Sequence, residues 1–187
     1  MVQEQDWGEA YKEIALLIKN DETPSLGVEE IKHVDLWHEQ TNYLADEYPF
    51  PPNSVFIDFK GRGLETTGKK VQDINFDVTI YFVLDTLSQT YQGSDNQAIS
   101  LDFIRICKKI HKKLQAAYGA NFSELNRIDI GSEPAPEYLI VYKQVYTTII
   151  RDASAMDEPG EATIKKVSTN KGTKSSSEGL GMYQIPE

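Results

Sequence analysis

Among the 187 residues there is one cysteine, Cys107, and there are only three histidines. A single thiol excludes an internal disulfide and suits a reducing compartment. Structural zinc needs closely spaced Cys or His ligands. The only histidine cluster, His33 and His38 with Glu39, lies far from Cys107 in sequence. Surface or interface histidines are the plainer reading, and no metal or cofactor is expected. No stretch approaches the roughly 18 apolar residues of a membrane span. The opening Met-Val-Gln-Glu-Gln-Asp is acidic with no apolar run behind it, so neither a signal peptide nor a membrane partner is expected. No Gly-x-Ser-x-Gly elbow occurs, and Cys107 falls on the apolar side of its helix, so no enzyme signature emerges.

Positive charge is scarce as well. Nineteen bases face 29 acids, a net charge of −10, which argues against nonspecific nucleic-acid binding through the whole surface. The deficit is local: residues 1–60 hold 13 acids and 4 bases, whereas residues 61–152 hold 11 of each. What the chain does have is 40% hydrophobic residues, enough to bury the core of one domain with an appendage.

One stretch invites a nucleotide reading. From Gly63 the sequence runs Gly-x-x-x-x-Gly68-Lys69-Lys70, one residue away from a phosphate-binding loop. That loop needs a Ser or Thr after the lysine for its metal, and it must open a helix. Lys70 takes the hydroxyl position, and Ile74, Phe76, Val78, Ile80 and Phe82 then alternate with polar residues, the period of a half-buried strand. Gly61, Arg62, Gly63, Gly68, Lys69 and Lys70 are therefore expected to form a mobile assembly loop between two antiparallel strands. Asp73, Asn75 and Asp77 should share the exposed side of the second strand. A carboxylate pair there could do acid–base work only in a cleft, and solvation of a polar sheet face is the simpler expectation.

The remaining elements follow from periodicity. Trp7, Tyr11, Ile14, Leu17 and Ile18 predict an amphipathic helix over 5–19, broken by residues 20–24. Residues 31–37 fit a short strand, and Tyr48-Pro-Phe-Pro-Pro52 forces an extended turn. Strands are expected at 54–59 and 72–84, followed by a polar loop from Thr86 to Ser94. A long central helix is expected over 95–118, capped by Ser94 or Asp95 and ended by a left-handed Gly119. Phe103, Ile106, Cys107, Ile110 and Leu114 line one of its faces. Arg105, Lys108, Lys109, Lys112 and Lys113 line the other, a basic stripe that faces either solvent or the acids of a neighbouring subunit. Strands at 127–130 and 138–150 flank a rigid loop at Glu133–Glu137, and apolar residues on both faces of the last strand suggest a central position in the sheet.

Periodicity stops at Ala153. Residues 1–152 thus read as an α+β domain: a mixed, mostly antiparallel sheet flanked by an N-terminal helix and one long central helix. Residues 153–187 read as an extended C-terminal arm, with a polar linker at 170–179. The arm ends in Leu180, Met182, Tyr183 and Ile185, an apolar cluster expected to dock outside the parent fold.

The order of blocks resembles the small tail-terminator and tail-completion proteins of long-tailed bacteriophages. The matching stretches are Val34-Asp-Leu-Trp-His-Glu-Gln40, Tyr48 to Phe59, the strand 72–84 ending at Asp85, the single long helix, and Asn126-Arg127 leading into Tyr138 to Arg151. The likeness covers roughly residues 1–152 and is a pattern of apolar blocks and turns, not a catalytic signature. It implies a non-enzymatic virion protein, assembled with itself as a ring, commonly a hexamer, that caps the tail tube and meets the neck or connector. DNA would pass through the lumen without specific binding, helped by a surface poor in positive charge. The chain would be made in the bacterial host cytoplasm and end in the virion. The arm departs from the compact family pattern. The alternative from the residues themselves is a cytosolic α+β ligand-binding or regulatory module without a ring.

Overall fold

A computed structural model describes residues 5–19, 27–42, 50–51, 53–85, 91–95, 97–135 and 139–156. The apolar cluster Leu180, Met182, Tyr183 and Ile185 lies outside these residues, as do all of 157–187, the break at 20–24 and the loop residues 86–90.

Helix α1, Trp7–Ile18, begins where the Asp6 carboxylate accepts hydrogen bonds from the Gly8 and Glu9 amides at 2.6 and 2.9 Å. That satisfies two of the donors a helix start leaves orphaned. Ala10, Ile14 and Ile18 repeat every four residues and are fully buried, while Trp7 stays largely exposed and tilts against Phe59 at 6.2 Å.

Among the described residues, five strands make one sheet. They are β1 (His33–Leu36), β2 (Ser54–Gly68), β3 (Val71–Asp85), β4 (Asn126–Glu133) and β5 (Leu139–Asp152), in the spatial order β1-β2-β3-β5-β4. β1 pairs with β2 in parallel over Ser54–Ile57, and every other pairing is antiparallel. The class is thus α+β with a mixed, mostly antiparallel sheet. β5 is not at the centre that its two apolar faces suggested: β3 holds the centre, and β5 lies between β3 and β4, inside the sheet and not at its edge.

The central helix is not one long element. A short helix α2, Gln97–Ser100, precedes α3, Asp102–Leu114, with Leu101 between them at φ −96°, ψ 0°. At the far end, α3 stops four residues short of the expected end. Gln115 turns extended and Ala116, not Gly119, takes the left-handed conformation at φ 59°. The competing partner is the returning chain. Leu125 accepts from the Ala116 amide at 2.9 Å and donates to the Ala117 carbonyl at 2.8 Å, so another helical turn is not needed to satisfy these groups.

Helices α1 and α3 lie on one face of the sheet. Ile14 and Ile18 from α1 join Ile106, Cys107, Ile110 and Leu114 from α3 over Val55, Ile57, Val78, Ile80, Phe82, Tyr146 and Ile150. Phe103 is only partly buried at this core's margin. The opposite face carries a smaller cluster of Phe56, Val83 and Val141, covered by Trp37, Phe50, Tyr81 and Leu139. Trp37 stacks on Tyr81 with ring centroids 4.3 Å apart.

Candidate assembly surfaces

Glycines at 61, 63 and 68 and a polar run suggested a loop, but the chain stays in strand. β2 continues through Gly68, a two-residue turn at Lys69 and Lys70 follows, and β3 starts at Val71. Lys70 takes the positive φ, 66°, that such a turn requires. The glycines mark irregularities in a ribbon: register shifts fall between Gly61 and Gly63 and between Thr66 and Gly68, where β-bulges admit an extra residue. No helix opens behind Gly68-Lys69-Lys70, so the phosphate-loop geometry is absent from this segment.

The polar side of β3 is not simply solvated. Asp77 is buried, and the guanidinium of Arg62, the extra residue at the first bulge, folds over it in an ion pair. The Oδ1 atom of Asp77 is buried with no hydrogen-bond partner among the described residues. Asp73 instead takes a two-pronged contact from Arg151, at 2.7 and 2.9 Å, which holds its carboxyl below the usual range. Asn75 is exposed between them.

The basic stripe on α3 divides in two. Arg105 and Lys109 both reach Glu30 of the same chain, at 2.7 and 2.6 Å, and Arg105 also grips Asp102. Burial alone would raise the Glu30 pKa. The hydrogen bonds from Lys109 and Arg105 outweigh it and bring that carboxyl down to about 2. Lys108 and Lys112 are fully outward, and Lys113 is half-buried.

Beneath α3 lies a polar network that periodicity did not reveal. Gln144, buried on β5, donates to the Cys107 carbonyl at 3.0 Å. Its Oε1 accepts from Arg127 and from the Tyr146 hydroxyl, each at 3.0 Å, and Tyr146 also lies 3.2 Å from His111 Nδ1. Burial, then the nearby Arg127 charge, lowers the His111 pKa, and burial raises those of Tyr146 and Cys107, the thiol to about 12. A buried Gln surrounded by Val, Tyr and Ile on an interior strand is the signal that could have found it, because a buried amide must be hydrogen-bonded. The cluster ties α3 to the sheet, and its thiol is held in the unreactive form. His33 lies 3.7 Å from Asp35 and edges against Phe56, apart from Cys107, and no group of three metal-ligating side chains occurs among the described residues.

No family model matches the chain, and no curated protein does. Among solved structures it is similar to a chain described as "Virion of native gene transfer agent (GTA) particle", at 10% identity and a TM-score of 0.38, over 63% of this chain and 78% of that one.

Proposed function

We propose that this chain is a non-enzymatic structural protein of a phage-like virion, a ring subunit at the head–tail junction that ends the tail tube and joins it to the neck. The observation that carries this reading is the ribbon, in which every residue from Lys60 to Lys70 is exposed. Ordering such a segment costs roughly 1–2 kcal/mol of backbone entropy per residue, and here little burial offsets that cost. A surface of this kind is best explained as one stabilised by contact, in a protein that works through interfaces. The resemblance of its sequence blocks to those of tail terminators supports the same reading.

In this role the chain pairs with itself, commonly as a hexamer, and with tail-tube and neck proteins. DNA slides through the lumen past acidic residues without being held. The C-terminal arm reaches a neighbouring subunit or ring through Leu180, Met182, Tyr183 and Ile185.

Electron microscopy of the full chain mixed with its tail-tube protein tests the proposal. Rings should cap the tubes and halt their growth. Tubes that lengthen as if the chain were absent would overturn it, and a stable monomer under every condition would favour the ligand-binding alternative.

A further inference from the structure

The sheet has two open edges, and they differ in chemistry. β1 covers the outer side of β2 only from Ser54 to Ile57, so from Asp58 to Gly68 no strand among the described residues pairs with it. At the other end, β4 is the last strand among the described residues, paired with β5, and the Gln115 side chain accepts from its Arg127 amide at 3.1 Å. Unpaired edges present rows of free N–H and C=O groups that attract another strand, and proteins cover or blunt them.

Resting on the ring-subunit reading, we infer that successive copies join by strand addition, the β2 edge of one copy pairing antiparallel with the β4 edge of the next. Strand direction favours this. β2, β3, β5 and β4 alternate in sense, so β4 runs opposite to β2. A second copy placed to continue the sheet therefore presents its edge in antiparallel sense. Exposed apolar residues also match. Leu64, 65% exposed, lies opposite Ile74 on the helix-bearing side of the sheet. Ile130, 47% exposed, lies opposite Gln144 on that same side. Joining the edges brings both side chains onto one face.

Charge also bears on which edges meet. From Lys60 to Lys70 the ribbon carries Lys60, Arg62, Lys69 and Lys70 against Glu65, with Arg62 paired to Asp77 of β3. β4 carries Asp129 and Glu133 beside Arg127, with Glu133 paired to Lys143 of β5 at 2.7 Å. Two ribbons face to face would bring like charges together, whereas β4 has no such excess of positive charge and offers Asp129. The contact is thus heterologous, the kind that closes into a ring when its rotation permits.

Disulfide trapping tests this in the full chain, against a background in which the one native thiol, Cys107, is buried. Leu64→Cys and Ile130→Cys are made as separate variants, mixed and oxidised, while electron microscopy records rings. Cross-linking should appear in the mixture and not in either variant alone. Self-linking of one variant would show like edges pairing and would overturn the inference. Rings without the mixed cross-link would overturn it too while sparing the ring-subunit reading, and an absence of both would sink the two together. Hydrogen exchange on dilute monomer completes the test. The amides of 58–68 that point away from β3 should exchange freely there and slow at least about tenfold on assembly, which corresponds to about 1.4 kcal/mol. Protection of those outward amides already present in the monomer would mean that the chain's own residues cover the edge, which refutes pairing between copies.

Discussion

Replacing Glu30 by Gln isolates the ion-pair cluster that ties α3 to the turn preceding β1. Glu30 accepts from both Arg105 and Lys109, and its side chain is 23% exposed. Its pKa falls from the ordinary 4.5 to about 2, a difference that corresponds to roughly 3 kcal/mol at full strength. Solvent reaches the group, and both basic partners are about half exposed, so screening reduces the contribution to about 1–2 kcal/mol. A carboxyl whose folded-state pKa is depressed contributes its stability above the unfolded value and loses it as the pH falls. The window here runs from about 4.5 down to about 2. Urea unfolding at pH 7 should therefore separate the wild-type chain from Glu30→Gln by about 1–2 kcal/mol, with the gap shrinking to less than about half by pH 3. Equal midpoints at pH 7, or a gap that persists unchanged at pH 2, would refute the reasoning.

Other expectations test other parts of the account. Phe82→Ala should cost about 3–5 kcal/mol in chemical denaturation, because its ring is 1% exposed between the sheet and both helices; a loss below about 1 kcal/mol would contradict the packing. Gly119→Ala should destabilise by about 1–3 kcal/mol, since a Cβ there runs into Glu13 and the Phe122 ring; thermal melting reads it, and an unchanged melting point would show that the α1 contact yields. Cys107 should resist Ellman's reagent at pH 8 in the folded chain and react only on unfolding, as burial pushes its thiol to about 12. Lys108→Glu with Lys112→Glu should weaken assembly while changing monomer stability by no more than about 0.5 kcal/mol. Unchanged assembly by light scattering would return that part of the stripe to solvent.

Legibility in the sequence followed the physics of each segment. Strict alternation from Ile74 to Phe82 identified β3, and the spacing of Ile106, Cys107, Ile110 and Leu114 gave the buried face of α3. Both signals are local, and the core obeys them. The misread segments depended on partners distant in the chain. Gly61, Gly63 and Gly68 read as a loop because glycine weakens a strand, yet pairing with β3 holds them extended. Gly119 looked like a helix terminator, but Leu125 ends α3 earlier and the glycine instead permits a close approach to Glu13. The basic stripe was correctly placed on α3, while periodicity could not show that Glu30, 75 residues before Arg105, holds two of its members. Asp77 shows the same limit. Its alternation placed it on the side away from the helices, and only the bulge at Arg62 explains why it is buried.

The central claim is that the chain is a ring subunit of a virion neck. A reconstruction of assembled particles from the genome that encodes the chain tests this most directly. A closed ring of copies should lie between tail tube and connector, each fitted by the five-stranded sheet with α1 and α3 on one face. Mature particles in which the chain occurs nowhere at that junction, or normal particles formed after its deletion, would contradict it.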